Sequence, residues 1–190
     1  MIVTISGTAG SGKSTVGKIL AKRLSAVRIY VGGIRRELAK EKGMSIKELN
    51  DYAKTHPETD VDVDIKASQE AKSLEKSGKI VIVEGRTQFH FLPASVKVFI
   101  KASLEVAAER IWHDLQKKES KEARNEGNIN SLEEMKREIL QRDEEDAKRY
   151  LKYYHIDHRR EDNYDLVIDS SHKPAPAVAE EIINFINKDR

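Results

Sequence analysis

No cysteine occurs among the 190 residues, which excludes both disulfides and thiolate-held metal. Nor does either sign of charge dominate. With 34 basic against 32 acidic residues the formal net charge is +2, too weak a field to make non-specific nucleic-acid binding the main role, and a pI near 8.6 changes this little. No apolar run approaches membrane-spanning length, and the first residues read as a strand, not as a cleavable leader. A soluble, cytoplasmic chain is expected. Internal repeats and low-complexity tracts are missing as well, and the length suits one domain with a substantial core. Charged residues make up 35% of the chain but mix in sign along the helical segments, so they describe solvated faces with i,i+4 pairs.

Against these absences stands one dense motif. Gly7-Thr8-Ala9-Gly10-Ser11-Gly12-Lys13-Ser14 fits G-x-x-x-x-G-K-[ST]. Before it, Met1 to Ser6 is short, apolar and β-branched, as a buried parallel strand should be; after it, Val16, Ile19, Leu20 and Leu24 recur at helical spacing. The glycines let the backbone turn so that successive amides and the positive helix end converge on one anion. Lys13 should reach the β- and γ-phosphates, and the Ser14 hydroxyl, followed by Thr15, should meet Mg²⁺. Nucleoside triphosphate binding follows, although the motif alone does not say where the phosphate goes.

Further along, Val27 to Val31 reads as a second strand, and Gly32-Gly33 as the turn into a helix from Ile34 to about Lys42. Ser45 with Glu48 forms a capping box for a short helix ending before His56-Pro57. A third helix, about Asp60 to Lys76, opens with Asp60, Asp62 and Asp64 near its positive end. Lys79 to Val83 is the next strand and leads into Glu84-Gly85-Arg86; Val96 to Ile100 is the fourth, with Ser103 capping the helix that follows. The polar, aperiodic stretch holding Lys117, Lys118, Lys121, Arg124 and Gly127 reads as a lid. Ser131 with Glu134 makes a second capping box, opening a long helix to about Tyr154; Asp165 to Asp169 is the fifth strand, and Ala177 to Ile186 the closing helix. Strands alternating with helices predict a parallel sheet covered on both faces, with ligands at the carboxyl ends of the strands.

The charged residues at those ends suggest a reaction. Glu84, after four aliphatics, stands where a P-loop protein commonly places an acid for Mg²⁺, directly or through water. Arg36, Arg86 and Arg110 follow strand ends, and a guanidinium fork suits a phosphate dianion. Arg142, Asp146 and Arg149 share one helix face, either as two phosphate readers flanking an acid for a sugar hydroxyl or as a self-satisfied ladder. A nucleoside monophosphate is an acceptor already largely ionised near pH 7, its second pKa being about 6, so no general base is required. A neutral hydroxyl would want a carboxylate after the second strand, where Gly32-Gly33 stands, although Asp60 or Asp64 could reach inward.

Several of these residues carry a resemblance. The Gly-x-x-x-Arg of Gly32 to Arg36, the run Glu84-Gly85-Arg86, Pro93-Ala94, Lys97-Val98-Phe99, Ala102-Ser103, Glu105 and Arg110, the Arg142-Asp143, Asp146 and Arg149 pattern, and the tail Tyr150, Tyr154, Ile156-Asp157 and Tyr164 to Asp169 resemble the cytidylate kinases, especially the short form of archaea and some bacteria. The resemblance implies a P-loop α/β fold with a five-stranded parallel sheet in the order 2-3-1-4-5. It implies a core at about 1–31, 79–112 and 132–190, a helical acceptor-binding insertion at about 32–78, and a lid at about 113–131. Arg142 and Arg149 would bind the acceptor phosphate with Asp146 on the pentose, Gly32, Arg36 and Arg86 would complete the acceptor side, and Lys13 and Arg110 would join the catalytic set. The implied reaction is (d)CMP + ATP giving (d)CDP + ADP with Mg²⁺ at Ser14 and Glu84, in a monomer whose partners are small nucleotides.

Three departures from that pattern fall on the acceptor side. Gly33 stands where the short form usually has Asp, Thr87 where bacterial members carry an acid close to the base, and no arginine occurs between residues 37 and 85. Other readings therefore stay open: a kinase for AMP, UMP or dTMP, or a P-loop ATPase or switch of the adenylate-kinase-like type. A shikimate-type kinase lacks its Asp-x-Asp after strand two, and a GTPase its Asn-Lys-x-Asp, since Asn187-Lys188-Asp189 has the wrong spacing.

Overall fold

The computed structural model describes residues 1–117, 122, 124 and 129–188. Strands β1 (Ile2–Gly7), β2 (Val27–Tyr30), β3 (Val81–Glu84), β4 (Val96–Lys101) and β5 (Leu166–Asp169) form one sheet in the order β2-β3-β1-β4-β5. All four pairings are parallel, as the alternation of strands and helices predicts. All six residues of β1 are buried, because helices cover both faces of the central strand.

On one face, α1 (Lys13–Arg23) and α8 (Ala175–Lys188) pack Val16, Leu20, Val178, Ile182 and Ile186 onto Val3, Ile5, Val98, Ile100 and Ile168. On the other, α4 (Glu58–Lys76) sets Ala67 and Ala71 against Ile29, Val81 and Val83. Between β2 and α4 lie α2 (Val31–Glu41) and α3 (Ile46–Tyr52), with a small apolar centre of Ala39, Ile46 and Leu49. A separate cluster joins α6 (Leu104–Leu115) to α7 (Leu132–Tyr154) through Ala108, Ile111, Met135 and Ile139. The α2–α4 excursion rests on α7, where the Tyr153 hydroxyl donates to the Ala53 carbonyl at 2.7 Å and Lys47 meets Glu138 at 2.7 Å.

Several local expectations change. Gly32 and Gly33 do not form a turn; α2 begins at Val31, and both lie in its first helical turn. A Cβ on Gly33 would stand 2.6 Å from the Tyr30 ring, so this position gives its space to an aromatic side chain. Ser45 and Glu48 do form the reciprocal capping box. At α7 only half of one exists: Ser131 accepts from the Glu134 amide, while the Glu134 carboxylate takes the amide of Asn130 instead. A four-residue helix, α5 (Gln88–Phe91), and a 3₁₀ turn (Glu161–Asn163) were not predicted; one turn is too short to show a period. The proposed lid begins later than residue 113, since α6 runs to Leu115. Lys118, Lys121 and Gly127 lie outside the described residues.

Candidate active site

The loop between β1 and α1 takes its shape from close backbone approach. Gly7 has φ 144°, and a side chain there would strike the Ile100 carbonyl; Gly10 (φ 69°) lies so close to α6 that a Cβ would be 2.5 Å from the Ala107 carbonyl. Gly12, at φ 84°, caps α1. The amides of Ala9, Gly10 and Gly12 find no acceptor among the described residues, which leaves them pointing donors at whatever enters the loop. Lys13 meanwhile folds back, donating to the Gly7 carbonyl at 2.9 Å and the Thr8 carbonyl at 2.5 Å. Burial, then the charges of Arg86, Arg142 and Arg36, push its ammonium down to about 7, with Glu84 pulling the other way.

A cavity of about 730 Å³ runs from this loop to the α2–α4 excursion. At its middle three expected arginines converge. Arg86, from the end of β3, donates through Nη1 to Asp146 Oδ2; Arg149 donates through Nη2 to Asp146 Oδ1 at 2.6 Å; Arg142 Nε lies 3.9 Å from Asp146. The ladder reading of that helix face is thus present, and it coexists with the cavity. Burial and the charge of Arg142 lower Arg86 to about 10.

Residues that the sequence reading left aside extend the network. Arg149 Nε donates to Asp60 Oδ2 at 2.5 Å, and Asp60 in turn meets Arg35. Asp60 and Asp64, first-turn acids with the option of reaching inward, are both buried, whereas Asp62 between them is exposed. An alternating chain Arg35–Asp60–Arg149–Asp146–Arg86 therefore ties α2, α4, α7 and β3 together. One atom in it is unsatisfied: Arg149 Nη1 is buried and has no hydrogen-bond partner among the described residues. Asp64 accepts from Thr87 and Tyr154, bonds that favour its charged form, while burial pushes its pKa up.

The remaining expected residues divide. Arg36 lines the same cavity and donates to the Gly32 carbonyl at 3.0 Å, the Tyr30 hydroxyl at 2.9 Å and the Arg124 carbonyl at 2.9 Å. Arg110 does not join the arginine group. It is held at the other end of the cavity, by the Gly10 carbonyl at 3.4 Å and by Ser170 Oγ at 3.2 Å and O at 2.8 Å, near Lys173 and Pro174. Ser14 lines the cavity in the first turn of α1. Glu84 lines it too, but its carboxylate is already engaged by Arg28, through Nε and through Nη2 at 3.0 Å.

Gly17 makes that last arrangement possible, because a Cβ on it would overlap Glu84 Oε1. Gly17→Ala is expected to lower stability by about 1–3 kcal/mol despite the better helix propensity of alanine. Urea unfolding checks this, and an unshifted midpoint would mean that Glu84 moves aside freely.

The sheet order and the glycine loop define a protein of the P-loop nucleoside triphosphate-binding class, with a second, arginine-lined region in the same cavity. Residues 2–172 match the model of the cytidylate kinase-like family. Among curated relatives, the cytidylate kinase of Pyrococcus abyssi is 37% identical over 172 residues, covering 90% of this chain and 85% of the relative. That of Archaeoglobus fulgidus is 37% identical over 187 residues, covering 98% and 94%. Among solved structures, a shikimate kinase from Bacteroides thetaiotaomicron superposes with a TM-score of 0.62 at 14% identity over 98% of both chains, which is a likeness of fold. The chain belongs to the cytidylate kinase-like family.

Proposed function

We propose that this protein transfers the γ-phosphoryl group of ATP to the phosphate of CMP or dCMP, giving ADP and the diphosphate. The family relationship supports the reaction class and the acceptor. The observation that carries it for this chain is the orphaned, buried Arg149 Nη1 in a cavity shared with Lys13, Arg36, Arg86 and Arg142. Nine Lys and Arg side chains line this cavity against six Asp and Glu, an excess of positive charge that suits nucleotide phosphates.

In this reading the loop amides and Lys13 hold the donor triphosphate, and Arg110 with Pro174 marks its nucleoside end. Arg86, Arg142 and Arg149 hold the acceptor phosphate in line with the γ-phosphorus, with Arg36 beside them. The acceptor oxygen is ionised above a pH of about 6, so positioning and charge neutralisation do the chemistry, not proton removal. Segments 32–78 and about 116–131 act as acceptor-binding insertion and lid, in a cytoplasmic monomer. Among the described residues no three acids or histidines gather as a metal cage, which fits Mg²⁺, an ion held mostly by phosphates and water. Ser14 would be its protein ligand; Glu84, half-spent on Arg28, would reach it through water. When bound, such an ion would supply positive charge that helps neutralise the phosphates.

A coupled assay of ADP release with CMP, dCMP, UMP, AMP and dTMP tests the reading. The expected result is turnover that depends on the monophosphate and is fastest with CMP or dCMP. ATP hydrolysis indifferent to every monophosphate would overturn it.

A further inference from the structure

The end of the cavity between α2, α3 and α4 holds Arg35, whose guanidinium is already engaged by Asn50, Asp60 and the Thr59 carbonyl. There Asn50, Asp64 and Thr87 face the space. The orientation of Asn50 can be derived. Arg35 Nη2 donates to Asn50 Oδ1 at 2.9 Å, and a guanidinium has only donors, so the amide cannot be turned the other way. Its Nδ2, with two N–H groups, must point away from Arg35, and no described residue accepts from it. Asn50 is only 6% exposed, so this is a fixed donor in a nearly closed site.

Asp64 is its complement. Oδ2 accepts from the Thr87 hydroxyl at 2.7 Å and the Tyr154 hydroxyl at 2.9 Å, and Oδ1 accepts from Gln88 Nε2 at 2.9 Å. A carboxylate offers about four acceptor positions. Three are filled, and the open one is on Oδ1. The Thr87 contact also puts a carboxylate from α4 directly beside position 87, which itself carries none.

Resting on the acceptor reading above, we propose that Asn50 and Asp64 read the base of the acceptor nucleotide: Asn50 Nδ2 donates to ring nitrogen N3 of cytosine, and Asp64 Oδ1 accepts from the exocyclic amine. Asn50 is then a specificity-determining residue. Uracil in the same seat would set its N3–H against the Asn50 N–H and its carbonyl against the Asp64 oxygen. The phosphate, anchored on Arg86 and Arg149, prevents the ring from sliding by one group to restore the match. Buried polar groups left unpaired in this way are what make a site reject a near-isostere.

Asn50→Asp tests this with almost no change of shape. One carboxylate oxygen keeps the Arg35 contact, and the cavity face changes from donor to acceptor. With ATP saturating, kcat/KM for CMP and for UMP are measured in wild type and variant. The ratio of CMP to UMP is expected to fall at least about tenfold, the effect of one inverted hydrogen bond, with the KM for ATP unchanged. Should the variant not fold, Asn50→Leu removes the donor without adding charge and is expected to move the ratio the same way. Equal losses for both pyrimidines would mean a merely structural role and overturn this inference while leaving phosphoryl transfer intact. A wild type inactive on CMP and UMP alike would overturn the acceptor reading, and this inference with it.

Discussion

Arg149→Ala is expected to reduce kcat/KM for the monophosphate by about 10³-fold or more, and to cost the fold about 3–5 kcal/mol at the same time. Both effects come from one side chain, buried to 4% exposure between Asp60 and Asp146. Removing the guanidinium leaves two buried carboxylates short of a partner, with Arg35 and Arg86 as their remaining neighbours. Loss of Nη1 removes a buried cationic donor that has no hydrogen-bond partner among the described residues. Arg149→Lys separates the two losses. It keeps a charge near the acids but cannot hold Asp60, Asp146 and a phosphate with one fork, so most of the stability should return while most of the activity does not. Chemical unfolding read alongside steady-state kinetics checks both. An alanine variant with unchanged acceptor KM would show that the phosphate sits elsewhere in the cavity.

The parts of this site visible in the sequence are those whose signal is local. The glycine loop, its strand and its helix occupy adjacent residues, and each of the five parallel strands is a short stretch dominated by apolar and β-branched residues. Asp60 and Asp64 were harder to place, because acids in a first turn already have a sufficient explanation in the helix dipole. Their spacing with Ala67 and Ala71 holds the better clue, since 60, 64, 67 and 71 form one stripe that continues the apolar face of α4 into the cavity. In the same way Arg142, Asp146 and Arg149 extend the stripe begun by Met135 and Ile139 on α7. A charged residue in register with a buried stripe is a site candidate for that reason alone. Arg35 and Asn50 carry the same signal, in register with Val31 and Ala39 on α2 and with Ile46 and Ala53 on α3; Tyr30 has none, as its contacts with α2 exist only once the insertion is packed. Arg110 also follows a strand end, and the direction of α6 carries it to Gly10 and Ser170, apart from Arg86, Arg142 and Arg149.

Affinity for ATP is expected to fall as pH rises above about 7, by up to about tenfold per pH unit, because of Lys13. In the free protein its ammonium is lowered from the ordinary 10.5 to about 7, chiefly by burial and then by Arg86. A bound polyphosphate supplies the counter-charge that the surrounding arginines withhold, and returns the pKa toward its ordinary value. Between those two values the complex holds a proton that the free protein has lost, so binding takes up that proton and weakens as protons become scarce. Below pH 7 both forms are charged and this dependence disappears. The nucleotide does not confuse the measurement, since its last phosphate ionisation, at a pKa of about 6, is complete over the same interval. Folding shows the opposite slope from the same group: the unfolded chain keeps the proton up to the ordinary value, so Lys13 lowers stability near neutral pH and relieves that penalty as pH rises. Calorimetry at pH 8.5 in buffers of different ionisation enthalpy should report an uptake close to one proton per nucleotide. Lys13→Arg, charged throughout, should flatten the slope even where it weakens binding. Binding in the wild type without proton uptake at that pH would show that Lys13 keeps its charge when the loop is empty.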